Sequence, residues 1–286
     1  MSLGHIKSIH RYPVKSMMGE SLARAKLGAQ GIPGDRAWAV KDEVRGGIRG
    51  GKRFPELMRC AARYDSEPPE QGSAPATVTL PDGRALNIDD PAMPKALSGL
   101  LESTVSVWPL MPPDQLEHYR RGRPLLEDRE AELRRVFART EEEPLPDLGA
   151  FPSELFQFES PPGTYFDAFP LLIMTRQSLD TLQSLAGDRT FDVRRFRPNI
   201  LIDAIETGDG FPEREWVGKS LHLGEATIEI TMSCPRCAMT TYGFADLAND
   251  PGIMRTLVRD AGGDLGVYAT VSTPGAVALG DPVSLS

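Results

Sequence analysis

Cysteine is scarce in this sequence: three residues, at 60, 234 and 237, in a chain of 286. So few cannot make a disulfide framework for so long a chain, and the expected setting is a reducing cytoplasm. Histidine is equally thin. The four histidines, at 5, 10, 118 and 222, are scattered and form no spaced pair. That removes the second half of a closed zinc site built on Cys234 and Cys237. Long apolar runs are also missing, none nearing the ~18 residues that span a bilayer, and the start, Met1-Ser2-Leu3-Gly4-His5-Ile6-Lys7, has no apolar signal core. No membrane association is therefore expected. Positive charge is in deficit, the formal net charge being −8, which argues against nucleic acid as a partner. The sequence has neither an internal repeat nor a coiled-coil heptad.

What is present describes a globular chain, with 40% hydrophobic and 25% charged residues. Its 25 prolines and 27 glycines predict many short elements joined by turns, the mark of a mainly β fold with a few short helices. Alternating segments predict strands over 6–15, 21–27, 36–40, 58–64, 76–80 and 85–88, a small barrel or sandwich ending near residue 110. Between them lies a Gly/Arg loop over 45–53, Arg-Gly-Gly-Ile-Arg-Gly-Gly-Lys-Arg. Composition shifts over 111–163, where a helix over 130–140 sits among charged and Pro-rich stretches; this reads as a linker or an insertion over the surface. Order resumes over 164–286, with an apolar run at 171–174, a helix over 178–185 and a strand at 200–202. A strand over 226–231, a helix over 251–261 and strands over 266–271 and 276–285 complete the chain. Three regions follow: 1–110, 111–163 and 164–286.

The strand over 226–231 runs into Ser233-Cys234-Pro235-Arg236-Cys237 and ends at Pro235, which cannot donate to a ladder. From the residues alone, a Cys-x-x-Cys here can be a zinc half-site, a redox pair, two buried core cysteines, or one thiolate on a soft, redox-active metal. A thioredoxin-like pair belongs at a helix N-terminus in a βαβ setting, and the surroundings here are strands. Arg236 beside Cys237 favours the thiolate, and Pro235 fixes the backbone that aims it. Cys60, in an apolar segment, reads as a core residue. Lys15, Arg36, Arg197 and Arg236 stand at strand edges in an otherwise acidic protein. If they converge, they make a pocket for a compact anion such as a phosphate.

Five segments occur in this order: Tyr12-Pro13-Val14-Lys15-Ser16; Gly34-Asp35-Arg36-Ala37-Trp38; Phe196-Arg197-Pro198-Asn199; Cys234-Pro235-Arg236-Cys237 with Thr240-Thr241; and Gly280-Asp281-Pro282-Val283. Together they resemble the MOSC family. With its N-terminal β-barrel partner, the whole length resembles the mitochondrial amidoxime-reducing components and their bacterial relatives. The resemblance implies two β-barrel-like domains with a molybdenum-molybdopterin cofactor between them. It makes Cys237 the thiolate on molybdenum and places Arg236 and Pro235 against the cofactor. Lys15, Ser16, Arg36, Arg197 and Asn199 match further cofactor positions, the basic ones meeting the pterin and its phosphate. Asp167, Ala168 and Phe169 match a segment that touches the cofactor largely through backbone, and Tyr268 an aromatic that lines the site.

The implied activity is reduction of small N-hydroxylated or N-oxide compounds. No ferredoxin-like cysteine cluster follows the MOSC segment, so a separate flavin or iron–sulfur protein is the expected electron donor. The family also carries a domain-level association with pyridoxal phosphate binding. The alternative is a non-catalytic cofactor-binding protein, or a sulfur carrier using a persulfide on Cys237. Two departures bear on substrate: Phe169 replaces a smaller polar residue, and 242–251 replaces a short acidic Pro/Gly loop.

Overall fold

The structure is a computed structural model that describes residues 2–205 and 210–286. Its first part holds β1 (Ser2–Arg11), β2 (Glu20–Leu22), β3 (Arg24–Leu27), β4 (Trp38–Asp42) and β5 (Ile48–Arg49). β6 (Ala61–Arg63), β7 (Thr77–Thr79), β8 (Ala85–Asn87), α1 (Met93–Leu101) and β9 (Val105–Pro109) follow. The middle segment holds α2 (Leu116–Tyr119) and α3 (Arg129–Phe137). Then come β10 (Leu171–Thr175), α4 (Arg176–Leu185), β11 (Ile200–Ala204), β12 (Ser220–Leu223) and β13 (Ala226–Pro235). α5 (Gly252–Ala261), β14 (Asp264–Thr273), β15 (Gly275–Ala278) and β16 (Pro282–Leu285) end the chain.

The fold is mainly β, as the punctuation by proline and glycine predicts. Strand order β11-β10-β14-β13-β12-β16-β1, with β1 returning to β11, closes a seven-stranded barrel. Closure leaves no bare edge among these strands. β1 thus comes from the opposite end of the chain, carrying Ile6 and Ile9 into the same core as Ile173, Ile202, Ile228 and Val267. β13 alternates buried and outward residues from Ala226 to Thr231, as its sequence predicts.

A second core lies in the first part, where the sheets β5-β4-β9 and β6-β7-β8 enclose Val40, Leu57, Val78, Leu97 and Leu101. Cys60 is fully buried there, as expected of a core residue. α4 and α5 flank the barrel over Leu179, Leu182, Ile253, Met254 and Leu257.

Several boundaries depart from expectation. The strand expected over 58–64 begins as a 3₁₀ turn, Pro55–Arg59, because Pro55 fixes a turn-like φ, and only Ala61–Arg63 is extended. α1 was not anticipated, although Met93, Leu97 and Leu101 stand four apart and all are buried. Pro94 in its first turn hides the signal, being read as a breaker where it is tolerated. The first strand ends at Arg11, before Pro13.

Candidate functional site

A cavity of about 500 Å³ opens between the two cores. Its inner wall takes Lys15, Ser16 and Arg36 from the first part and Arg197, Asn199, Pro235, Arg236, Cys237 and Tyr268 from the barrel part. Asp167 and Phe169 also face it, whereas Ala168 is buried beside them and does not line it. Residues more than 200 positions apart therefore meet because β1 is a barrel strand and the chain leaves it at the cavity.

The backbone is strained where the basic residues enter. Six described non-glycine residues have a positive φ, and three of them are Ser16 (69°), Arg36 (50°) and Arg197 (58°). Non-glycine residues hold such angles at a cost, and they cluster at functional sites. Asp35 helps to impose the geometry: its carboxylate accepts from the Tyr12 backbone N–H at 2.7 Å, from Asn199 Nδ2 at 3.0 Å and from the Arg36 guanidinium. Asn199 Oδ1 in turn accepts from Leu172 N–H at 3.2 Å and Arg36 Nη1 at 3.3 Å, tying the first part to the barrel.

Arg197 stacks over Tyr12, its guanidinium carbon 4.2 Å from the ring centroid, and donates to the Met17 carbonyl. Burial, reinforced by neighbouring Arg36 but opposed by Tyr12, pushes the Arg197 guanidinium down to about 10. Burial likewise raises the Tyr12 hydroxyl to about 12, even between two cations. Arg236 donates to Cys234 Sγ at 3.0 Å and to the Phe196 carbonyl at 2.6 Å. Arg197 Nη2 and Arg236 Nε are both buried without a hydrogen-bond partner. Both line the cavity, where an anion could accept from them.

Lys15 is buried and donates to Asp167 Oδ1 and the Tyr165 carbonyl, each at 2.8 Å, and to Ser160 Oγ at 3.4 Å. Burial lowers its ammonium pKa, although Asp167 opposes this. Burial alone would raise the Asp167 carboxyl, but Lys15, Lys52 and Arg36 together hold it well below the usual carboxylate range. Its side chain is still 49% exposed, because it looks into open cavity rather than packed protein.

The two cysteines of the Cys-x-x-Cys motif have different settings. Cys234 is buried and its thiol is pushed up by burial, against the pull of Arg236. Cys237 is part-exposed on the cavity and opens a 3₁₀ turn, Ala238–Thr241. Arg236 was expected to support the Cys237 thiolate, yet its hydrogen bond goes to Cys234. Cys237 still interacts electrostatically with Arg236 and with Lys52, whose ammonium is raised chiefly by Asp167 and further by Cys237 despite burial. Among the described residues no group of three or more His, Cys, Asp or Glu is placed to hold a metal ion.

Sequence reasoning missed two contributors. The Gly/Arg loop reaches the cavity through Arg49, Gly50, Gly51, Lys52 and Arg53. Its diglycine was the available signal: a Cβ on Gly51 would stand 2.8 Å from Met239 Cε, and one on Gly50 would strike Ser16 Oγ. Ser16 Oγ also accepts from the Gly51 N–H at 2.8 Å. The second contributor is the middle segment, which forms an apolar wall with Leu133, Phe137, Phe151 and Leu155. Of the two departures in sequence, Phe169 lines the cavity. Residues 242–251 do not; Arg195 holds that loop by the carbonyls of Tyr242 (3.0 Å) and Ala248 (2.7 Å).

In all, eleven lysines and arginines face the cavity against three carboxylates, in a chain of net charge −8. The fold and site thus define a mainly β protein with a cation-rich pocket that holds a thiol. Residues 162–284 match the MOSC domain and residues 3–108 the MOSC N-terminal beta barrel domain, and the chain belongs to the MOSC family.

Among curated relatives, mitochondrial amidoxime-reducing component 1 of Mus musculus is 23% identical over 318 aligned positions, covering 99% of this chain and 82% of that protein. Mitochondrial amidoxime reducing component 2 of Homo sapiens is 31% identical over 132 positions, 42% of this chain and 38% of that protein. Among solved structures, the YUAD protein of Bacillus subtilis aligns over 98% of this chain and 94% of its own, with 12% identity and a TM-score of 0.43.

Proposed function

We propose that this protein binds a molybdenum-molybdopterin cofactor in the cavity and reduces small N-hydroxylated or N-oxide compounds. Electrons would come from a separate flavin or iron–sulfur protein, and the setting would be the cytoplasm. The observation that carries the reading is the inner wall. Lys15, Arg36, Arg197 and Arg236 converge beside Cys237, and two of their guanidinium nitrogens lack partners. The names of the relatives, amidoxime-reducing components, support the substrate class.

The residues fit such a group. Cys237 is the exposed thiol and would ligate the metal, while buried Cys234 packs behind it and accepts from Arg236. The basic residues would hold pterin and phosphate, and Ser16, Asn199, Pro235 and Tyr268 complete the cradle. When bound, the cofactor supplies two-electron oxygen-atom transfer. The protein's own share is orientation and charge: Asp167, ionised and half exposed, is placed to accept a hydrogen bond from a substrate O–H or N–H.

The test is metal and pterin analysis of protein made in a molybdenum-replete host. Stoichiometric molybdenum is expected in wild type and in Cys234→Ala, but not in Cys237→Ala, and only the first two should turn over an N-hydroxylated substrate with an artificial donor. No molybdenum in wild type, or full metal and activity in Cys237→Ala, would sink the proposal. A persulfide mass on Cys237 without turnover would favour the carrier role.

A further inference from the structure

The inner cations are balanced by what the cofactor would bring, but the Gly/Arg loop adds charge that nothing in that reading uses. Arg49 and Arg121 share a single carboxylate, Glu159, at 3.8 and 2.8 Å. The Arg49 side chain is 13% exposed and its Nε is buried without a partner. Lys52 stands 3.9 Å from Asp167, whose near oxygen already takes a hydrogen bond from Lys15 at 2.8 Å. Arg53, by contrast, is matched by Asp42 at 3.5 Å. Three cations thus face formally one uncommitted carboxylate, which is costly unless an anion joins them.

Aromatic surface lines the same cavity, running outward from the inner-wall Tyr268. Phe169 and Phe151 flank Tyr268, with ring centroids 5.2 and 6.4 Å from its own, and all three line the same cavity as Arg49, Lys52 and Arg121. The loop is held in place rather than free. Arg135 Nη1 donates to the Lys52 carbonyl at 2.8 Å, and Arg49 Nη2 donates to the Arg123 carbonyl at 2.7 Å.

We propose that Arg49, Lys52 and Arg121 form a second anion subsite in the outer cavity, selecting substrates that carry a carboxylate or phosphate on an aromatic body. The proposal rests on the function proposed above for its substrate chemistry, but not for the binding it predicts. A charge-assisted hydrogen bond contributes about 1.5–3 kcal/mol, so the anionic substituent should strengthen binding roughly tenfold to a hundredfold.

The experiment titrates the purified, cofactor-loaded protein calorimetrically with benzamidoxime and with its 4-carboxy derivative, and follows turnover of both with an artificial donor. The carboxylate probe should bind at least about tenfold tighter, and inorganic phosphate should compete with it but not with the neutral probe. Arg121→Glu, at a side chain 45% exposed, should erase the preference and leave neutral binding unchanged, while Arg121→Lys should keep part of it. Lys52→Met should weaken it independently. Equal binding of both probes to wild type, or an unchanged preference in Arg121→Glu and Lys52→Met, overturns the subsite. So does release of a nucleotide from the bound cofactor together with loss of that nucleotide form in Arg121→Glu, which would give the outer charge to the cofactor. A retained binding preference without turnover of either probe would instead leave the subsite standing and overturn the reductase reading.

Discussion

At the scale of single residues, the cavity is organised by buried charge rather than by apolar shape. Lys15 and Asp167 show the asymmetry. Lys15 is buried and depends on its partner, whereas Asp167 is half exposed and can be hydrated. Asp167→Asn should therefore destabilise the cofactor-free protein by about 1–3 kcal/mol, because it leaves a buried ammonium short of a counter-charge. Lys15→Met also has a cost, since it leaves the buried Tyr165 carbonyl without its donor, but adding Asp167→Asn to it should cost little more, a coupling that a urea-unfolding cycle would read. The Asp167 carboxyl is held low, so its contribution is present at neutral pH and is lost as pH falls below the ordinary carboxylate range.

Glu213 has the opposite sign. It is 1% exposed, and burial raises its carboxyl above the ordinary 4.5 although Ser178 and Thr175 donate to Oε2 at 2.5 and 2.6 Å. A raised carboxyl favours folding below the unfolded pKa, and that advantage is lost as pH rises through the folded value, each tenfold gain in proton affinity being worth about 1.4 kcal/mol. Glu213→Gln should thus unfold at a higher temperature than wild type at neutral pH, with the gap closing in acid; a Tm-against-pH series decides it. Of this residue scale, the motifs of Lys15, Arg36, Arg197 and Arg236 were legible in sequence because each basic residue stands beside a glycine turn or a proline at a strand edge. Lys52 was not: a lysine in a Gly/Arg loop looks like solvated charge until the diglycine is seen against Ser16 and Met239.

At the scale of elements, the middle segment matters most. Its composition reads as surface linker, being charged and Pro-rich, yet Tyr119, Leu155 and Phe158 are buried within it. What sequence could not convey is the docking of 120–124 on the Gly/Arg loop. Arg123 N–H donates to the Arg45 carbonyl at 2.9 Å, and Arg45 Nη1 donates to the Pro124 carbonyl at 2.8 Å. The two segments approach so closely that a Cβ on Gly122 would collide with the Gly46 carbonyl, backbone that cannot swing away. Gly122→Ala should accordingly cost about 1–3 kcal/mol as an overpacked contact. It should also make 111–163 cut faster in limited proteolysis, with the barrel fragment persisting; an unchanged cleavage rate would show that the segment is held elsewhere. α3 buries no residue of its own, so its place depends on contacts such as Arg135 to the Lys52 carbonyl.

At the scale of the whole molecule, the division into 1–110, 111–163 and 164–286 is a proposal about folding units, and the barrel gives it a sharp test. Strand periodicity showed each barrel strand but not its partner, because pairing across some two hundred residues leaves no local pattern. β1 lies between β11 and β16, in register Ile6↔Ile202 and His5↔Pro282. Without it, a fragment of residues 162–286 would keep two unpaired strand edges and lose Ile6 and Ile9 from its core, each worth about 1.5–3 kcal/mol when fully buried. That fragment should aggregate or remain partly unfolded. Ser2 pairs with Ser284, so the two ends are neighbours in the same sheet. A variant joining Ser286 through a short Gly/Ser linker to residues 2–11, ahead of no other part of the first region, should restore a cooperative thermal transition to residues 162–286. Substituting Ile6 and Ile9 by Asp in the appended strand should abolish it. Cooperative folding of 162–286 without β1 would show instead that the barrel strands close or cover their edges unaided.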